Sequence, residues 1–264
     1  MKRVRQKRRK LYAICCAVSC ALAITVSIFI AVNISRSFIA YGEKTDSTDY
    51  RAAEGSIGSG SHIINIEGLS QEGIPTGCEA VSTVALLNHY GINITVHGFI
   101  ENYLPKEDFY NKNGKIYGAD PSLSFAGDPY EKSSLGCYCE AIEGAVKNMV
   151  RDNYKGTSDL RAEGIRGSSL SYLVLNYIQK DKPVIIWATS DMKKSGEGFT
   201  YYLETGEKYV WKSGEHCLVL CGYDESHYLL MDPQKNGDIV RYEKSLVEKR
   251  YEEMGKQAVI IEKN

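Results

Sequence analysis

The feature that most constrains this chain is an uncharged, largely apolar run over residues 11–35. A bilayer core of about 30 Å is crossed by roughly 20 helical residues, so this run is long enough to span a membrane. Seven of the first ten residues are basic: Lys2, Arg3, Arg5, Lys7, Arg8, Arg9 and Lys10. Basic flanks stay on the cytoplasmic side. The sequence therefore predicts a cytoplasmic basic tail over 1–10 and one transmembrane anchor over 11–35.

A removable secretory signal is the competing interpretation of the same segment. Its apolar region usually spans about 7–15 residues and ends at a cleavage site of small residues. The run over 11–35 is longer than that, and the sequence Ser35-Arg36-Ser37 that follows is a poor cleavage site. We therefore favour a retained anchor. Both interpretations place the rest of the chain outside the cytoplasm.

The remainder of the chain is acidic and reads as a linker followed by one domain. The protein has 32 Lys and Arg against 33 Asp and Glu, and the basic tail holds seven of the former and none of the latter. An acidic body argues against a nucleic-acid partner, because phosphate binding needs a basic surface. Residues 36–61 are mostly polar and rich in glycine and serine towards their end, which predicts a flexible linker. Residues 62–264 then form the folded domain.

Helical and strand patterns in this domain predict an α+β fold. Helical spacing covers 78–90, 140–150, 169–179 and 244–254, whereas apolar runs typical of strands cover 184–189, 217–221, 228–231 and 258–262. Gly91 stands where a helix C-cap glycine is expected. Helices cluster early and strands late, so we expect a helical half packed on an antiparallel sheet.

Cysteine usage points to a reactive thiol. Three cysteines lie in the predicted anchor, and five lie outside it: Cys78, Cys137, Cys139, Cys217 and Cys221. In an oxidising compartment an odd number leaves at least one thiol unpaired or paired between chains. Cys78 falls in the first turn of a predicted helix, where the partial positive charge of the helix end is expected to lower the thiol pKa and favour the nucleophilic thiolate.

A thiol nucleophile needs an imidazole and a group that orients it. His216 opens a predicted strand, and its separation from Cys78 falls within the range of about 130–150 residues found in papain-like enzymes. Antiparallel pairing with the next strand would bring Asp232 beside His216. The backbone N–H of Cys78 and the side-chain amide of Gln71 are the candidate donors to an oxyanion. Gln71, Cys78, His216 and Asp232 are therefore the predicted catalytic residues.

Several short motifs together resemble the bacterial C39-like peptidases, members of the papain-like group. The matching pieces cover roughly residues 62–262 and are Gln71, Pro75-Thr-Gly-Cys-Glu79, Gly127-Asp-Pro129, Leu135-Gly-Cys-Tyr138, Pro183-Val-Ile-Ile-Trp187, Trp211-Lys-Ser-Gly-Glu-His-Cys217, Gly222-Tyr-Asp224 and Asp232-Pro233. The resemblance implies a papain-like α+β fold and hydrolysis of peptide bonds through a thiol. No transporter or ATP-binding motif is found, so we do not expect an exporter's processing domain.

Two further interpretations concern metals and cofactors. The spacings Cys137-x-Cys139 and His216-Cys217-x-x-x-Cys221 invite a zinc site, because thiolates and imidazole are common zinc ligands. On a regular strand, however, Cys217 and Cys221 point away from His216 and lie about 13 Å apart. We therefore expect no metal and no cofactor, and a core or long-range disulfide role for these cysteines.

The sequence thus predicts a membrane-anchored, extracytoplasmic cysteine peptidase that acts on a peptide or protein and is a monomer. An amidase or acyltransferase acting on cell-wall peptide would use the same acyl-thioester chemistry. A catalytically silent module that binds a peptide or wall component is the alternative from a different class. Retention of Cys78, His216 and Asp232 argues against it, because a silent site has no chemical need for all three.

Overall fold

A computed structural model describes residues 60–263 of the chain. The predicted basic tail (1–10), the predicted anchor (11–35) and all but the last two residues of the predicted linker (36–61) lie outside the described residues. Across residues 60–263, no helix has both the length and the apolar character needed to cross a bilayer.

The described residues form five α-helices. These are α1 (Cys78–His89), α2 (Val96–Asn102), α3 (Cys139–Arg151), α4 (Leu170–Asn176) and α5 (Lys244–Glu253). The predictions for α1, α3 and α5 are confirmed to within one residue at each end. The helix predicted over 169–179 is shorter, because α4 ends at Asn176 and a separate 3-10 turn covers Ile178–Lys180. Helix α2 was not predicted.

Thirteen strands accompany these helices in the described residues. They are β1 (His62–Ile63), β2 (Lys106–Glu107), β3 (Tyr110–Lys112), β4 (Lys115–Tyr117), β5 (Phe125–Ala126), β6 (Leu160–Arg166), β7 (Val184–Thr189), β8 (Glu197–Tyr202), β9 (Lys208–Lys212), β10 (Glu215–Tyr223), β11 (His227–Asp232), β12 (Asp238–Glu243) and β13 (Gln257–Lys263). All four predicted strands are present, and β10 is longer than predicted at both ends.

The main sheet has seven strands in the order β12-β11-β10-β7-β13-β6, with β1 also paired to β10. Every pair in it is antiparallel, as predicted. All six residues of β7 are buried. Because successive side chains of a strand point to opposite faces, complete burial means that both faces of the sheet are covered at β7.

A second, four-stranded sheet in the order β3-β4-β8-β9 leads directly into the main one. Strand β9 ends at Lys212, and a turn with Gly214 at a φ of +72° starts β10. Strands β8 and β9 were not predicted, because most of their residues are exposed and lack the apolar alternation of a half-buried strand. This hairpin fixes where β10 begins.

Helix α1 is the central element of the core. Ten of its twelve residues are buried, among them Val81, Val84 and Ala85. The helix packs against β10 and β7. Its end is also as predicted, since Gly91 follows it with a φ of +76°, a left-handed conformation that glycine adopts without strain. A fully buried helix of this kind fixes the position of its first turn.

Truncating the α1 core should destabilise the fold strongly. Leu86→Ala removes a completely buried side chain, so we expect the free energy of unfolding to fall by about 2–5 kcal/mol. Denaturant unfolding of the purified chain measures this change. The control is Leu123→Ala, whose side chain is 69% exposed and should matter little. Equal effects of the two substitutions would contradict a core built on α1.

Candidate active site

The first turn of α1 carries Cys78, as predicted. Gly77 precedes it, and no side chain caps the helix, so the N–H groups of the first turn remain available to other acceptors. A Cβ at Gly77 would lie 2.4 Å from Ile74 Cγ2, so the close approach of the preceding loop requires glycine here. The hydroxyl of Thr76 donates to the carbonyl of Pro129 at 3.2 Å and ties this loop to the body of the domain.

At the start of β10, one edge of the strand has no neighbouring strand, and α1 lies along that edge. Strand β11 pairs with β10 only from Val219 onward, while β7 pairs along the other edge. At Cys217 the missing partner is replaced by α1: the N–H of Cys217 donates to Cys78 Sγ at 3.4 Å, and Ser82 Oγ donates to the Cys217 carbonyl at 3.1 Å. Because both backbone groups of Cys217 are satisfied by α1, the helix and the strand hold each other in register.

The predicted contact between His216 and Asp232 is present. His216 Nε2 lies 2.7 Å from Asp232 Oδ1, and both side chains are shielded from solvent. Asp232 Oδ1 also accepts the N–H of Gln234 at 2.9 Å, which fixes the carboxylate. His216 Nδ1 is buried and has no hydrogen-bond partner. The imidazole is thus oriented through one nitrogen, and the other is left free to take a proton.

Gln71 lies between the start of α1 and Asp232. Its backbone N–H donates to the carbonyl of Pro233 at 3.1 Å, and its side-chain Nε2 donates to the carbonyl of Pro75 at 3.4 Å. Its Oε1 is buried without a partner. The structure therefore brings all four predicted residues into one region, although Gln71 holds its amide against its own loop.

The Cys78 thiol is oriented differently from the prediction. It donates to Glu79 Oε2 at 3.3 Å and accepts the N–H of Cys217, whereas His216 Nδ1 has no partner. Burial raises the pKa of this thiol well above its usual range, and the nearby carboxyls of Glu79 and Glu215 raise it further. The prediction of a lowered pKa is therefore wrong for this arrangement, because desolvation and two acidic neighbours outweigh the helix end.

Two carboxyls that were not predicted lie beside the Cys78 thiol, and we call the three side chains together the pocket: one oxygen each of Glu79 and Glu215 lies within 4.8 Å of the sulfur. Burial raises the pKa of Glu79 to about 7, and burial together with Glu79 raises the pKa of Glu215. Glu79 Oε1 accepts the N–H of Cys137 at 2.7 Å. Each carboxyl is adjacent in the sequence to a predicted site residue, Glu79 to Cys78 and Glu215 to His216. That adjacency alone does not show that the two carboxyls meet at the thiol.

The remaining cysteines form no disulfide within residues 60–263, where all five are free and buried. Of the two roles expected for these cysteines, a core role is therefore the one found there, and the long-range disulfide is absent. Cys221 lies apart from the pocket and contacts the carbonyl of Leu229 at 3.4 Å. Within the same residues, the only set of three or more His, Cys, Asp and Glu ligand atoms close enough to share an ion comes from Cys78, Glu79 and Glu215. The zinc interpretations based on the other cysteines find no such cluster.

The tryptophans pack in the core beside the site. Trp187 is fully buried and donates from its indole nitrogen to the carbonyl of Cys137 at 2.9 Å. Trp211 stacks on Tyr138, with ring centroids 5.2 Å apart and an interplanar angle of 4°. These contacts hold the 137–138 segment against β7 and β9.

Comparison with known proteins supports the family resemblance that the sequence motifs predict. The Peptidase_C39 like family model matches residues 63–259. The uncharacterized protein YvpB of Bacillus subtilis (strain 168) is 28% identical over 189 residues, which are 71% of this chain and 69% of YvpB. A crystal structure of a C39-like peptidase candidate from Bacillus anthracis is 24% identical with a TM-score of 0.63, covering 77% of this chain and 98% of that one.

A more distant likeness, to the peptidase domain of Streptococcus ComA, has 13% identity and a TM-score of 0.42 over 77% of this chain and 98% of that domain. A score this low carries no argument about this chain. The family model, in contrast, spans nearly all of the described residues and includes Gln71, Cys78, His216 and Asp232. The resemblance read from the motifs is confirmed, and the chain belongs to the Peptidase_C39 like family.

Proposed function

We propose that this protein is a membrane-anchored, extracytoplasmic cysteine peptidase that cleaves peptide or protein substrates. Cys78 is the nucleophile, His216 the general base and acid, Asp232 the residue that orients His216, and Gln71 a donor to the oxyanion. The single observation that carries the proposal is the buried His216–Asp232 pair, whose second ring nitrogen is free beside the Cys78 helix. Membership of the family supports a peptidase-type activity.

Proton transfer follows from the hydrogen bond that His216 already makes. When Nε2–H donates to Asp232, Nδ1 carries a lone pair and can accept a proton. Cys78 Sγ lies 3.4 Å from the nitrogen of Cys217, which is bonded to the His216 carbonyl carbon. The sulfur is therefore within about 5 Å of the His216 backbone. The proposed mechanism requires the Cys78 side chain to turn away from Glu79 and the thiol to approach Nδ1.

The thiol then loses its proton to His216 as the sulfur attacks the substrate carbonyl carbon. Negative charge develops on the carbonyl oxygen and is stabilised by the N–H of Cys78 and by the Gln71 amide, once Gln71 releases Pro75. His216 gives the proton to the leaving amine, and the C–N bond breaks to leave a thioester. Water, deprotonated by His216, hydrolyses that thioester and restores the thiol.

A cavity of about 580 Å³ adjoins the loop that leads into α1. Its lining comes from the loop before α1 and from the 130–133 segment, and consists of Gly73, Pro75, Tyr130, Glu131, Lys132 and Ser133. Pro75 lies three residues before Cys78 in the sequence, so this cavity is a place beside the loop leading to Cys78 where a substrate could bind. We assign this cavity to the side chains of the substrate that flank the cleaved bond.

One observation favours a second candidate, a catalytically silent binding module. The thiol is hydrogen-bonded to Glu79 rather than to His216, and its pKa is raised. A silent module would bind peptides with the same affinity when Cys78 is replaced by alanine, and neither form would release product. Peptidase activity predicts that the two forms differ in product formation.

Removing the nucleophile should abolish cleavage. We expect Cys78→Ala to lose all hydrolysis of a peptide library, because no other group in the mechanism attacks the carbonyl. Mass spectrometry of the released products measures the effect. Cys221→Ser is the matched control and should keep wild-type activity, since Cys221 lies apart from the pocket. Identical product profiles for wild type and Cys78→Ala would refute hydrolysis by this thiol.

Neutralising the orienting carboxylate should impair the chemical step. Asp232→Asn replaces an acceptor-only carboxylate by a neutral amide that can also donate, so the His216 tautomer is no longer fixed, and kcat should fall by a factor of up to about 10⁴ with little change in KM. Steady-state kinetics on a cleaved library peptide provide the test. Asp238→Asn, on the exposed part of β12, is the control. If Asp232→Asn keeps wild-type kcat, the proposed role of Asp232 is wrong.

The Gln71 amide should contribute mainly in the transition state. We expect Gln71→Ala to lower kcat by about 10²–10³ through loss of one oxyanion donor. Gln234→Ala removes an exposed side chain from the neighbouring turn and serves as the control. A rise in KM alone, with kcat unchanged, would place Gln71 in substrate binding instead.

A further inference from the structure

Three acidic groups from two separate elements meet in one pocket. Cys78 and Glu79 come from the start of α1, and Glu215 comes from the start of β10. One ligand atom from each, the Cys78 sulfur and one carboxylate oxygen per glutamate, lies within 4.8 Å of the other two. The proposed peptidase mechanism uses only the thiol and leaves both carboxyls without a role.

Neither Glu79 nor Glu215 forms an ion pair with a Lys, Arg or His among residues 60–263, where every ion pair involves another carboxylate. Glu215 Oε1 is shielded from solvent and has no hydrogen-bond partner. Buried carboxylates are costly unless they are paired, protonated or bound to a cation. The pocket therefore contains a carboxylate oxygen, Glu215 Oε1, that no group of the described residues donates to.

Gly136 provides the room in which the carboxyls meet. A Cβ at this position would lie 2.3 Å from Glu79 Oε1 and 3.1 Å from Glu215 Oε2. The same Cβ would lie 3.3 Å from Trp211 Cζ2. Any side chain here would occupy the space beside both carboxyls, so the pocket depends on glycine at this point of the chain.

We propose that Cys78 Sγ, Glu79 and Glu215 bind a divalent transition-metal ion such as Zn²⁺, which holds the nucleophile away from His216. In tetrahedral zinc sites, Zn–S distances of about 2.3 Å and Zn–O distances of about 2.0–2.2 Å separate neighbouring ligand atoms by roughly 3.3–3.7 Å. Cys78 Sγ and Glu79 Oε2 are already 3.3 Å apart, and the three ligand atoms lie within 4.8 Å of one another, so the Glu215 oxygen must approach by up to about 1.5 Å to reach that spacing. A thiolate ligand favours zinc over Mg²⁺ or Ca²⁺, which prefer oxygen alone.

Binding forms a metal–sulfur bond and breaks the S–H bond, and the proton leaves to solvent. A metal-bound thiolate cannot attack a carbonyl, so the ion inhibits the enzyme reversibly. This inhibition rests on the proposed peptidase function, whereas metal binding itself does not. The metal is therefore a reversible inhibitor and is not required as a cofactor.

Cobalt provides a direct test, because a Co²⁺–thiolate bond gives a sulfur-to-metal charge-transfer absorption band. Titrating the full chain with Co²⁺ should produce this band, and Zn²⁺ should displace it. Cys78→Ser should lose the band, and Cys221→Ser should keep it. Glu215→Gln and Glu79→Gln should each weaken Co²⁺ binding by about tenfold or more. The exposed Glu163→Gln is the matched control and should bind as wild type.

Two outcomes of the titration overturn the proposal. One is the absence of a charge-transfer band at saturating Co²⁺. The other is a band that survives Cys78→Ser, and its loss in Cys137→Ser or Cys217→Ser would then assign the metal to that other cysteine. Circular dichroism of each variant separates loss of the metal site from loss of the fold. If one of the two glutamate variants fails to fold, Co²⁺ binding by the other still tests the site. The titration contains no substrate, so failure to find peptide cleavage leaves its result intact. Conversely, cleavage that Zn²⁺ does not inhibit would refute the regulatory role.

Discussion

The arrangement of the site depends on one place in the sheet where a helix, and not a neighbouring strand, supplies the hydrogen-bond partners of β10. Strand β10 runs beyond the point where β11 can pair with it, and at Cys217 the side chains of α1 take the place of the missing strand. The same contacts place the Cys78 sulfur against the His216–Cys217 peptide. Because α1 is buried almost throughout, the position of Cys78, the proposed nucleophile, is fixed by the core of the domain rather than by a loop.

Burial has opposite consequences for the two halves of the site. At His216, burial shields a hydrogen bond between the imidazole and Asp232, whose carboxylate also accepts the backbone N–H of Gln234. At Cys78 it places a thiol beside two carboxyls and raises its pKa. In the described arrangement the thiol is hydrogen-bonded to Glu79, and His216 Nδ1 has no partner. Under the proposed mechanism this is a resting state. A ligand that draws the thiol from Glu79 towards His216 would favour catalysis, and a ligand that holds it beside Glu79 would prevent catalysis.

The parts of this arrangement that were predictable share a physical cause. Helix α1 and strands β7, β10 and β11 are long or strongly apolar, so their patterns survive without tertiary information. The His216–Asp232 contact followed from antiparallel pairing of neighbouring strands. The edge strand β12 and the β8–β9 hairpin are largely exposed and gave no such pattern. The thiol environment was also out of reach, because Glu215 approaches Cys78 only through the fold.

The central claim is that Cys78 is a nucleophile activated by His216 and Asp232. It is tested most directly by mapping the adduct of a peptide vinyl sulfone, an electrophile that bonds covalently to a thiolate held in a peptide-binding cleft. We expect mass spectrometry to find the adduct on Cys78 and Asp232→Asn to form it far more slowly. An adduct on another cysteine, or equal rates in wild type and Asp232→Asn, would contradict activation of Cys78 by His216 and Asp232.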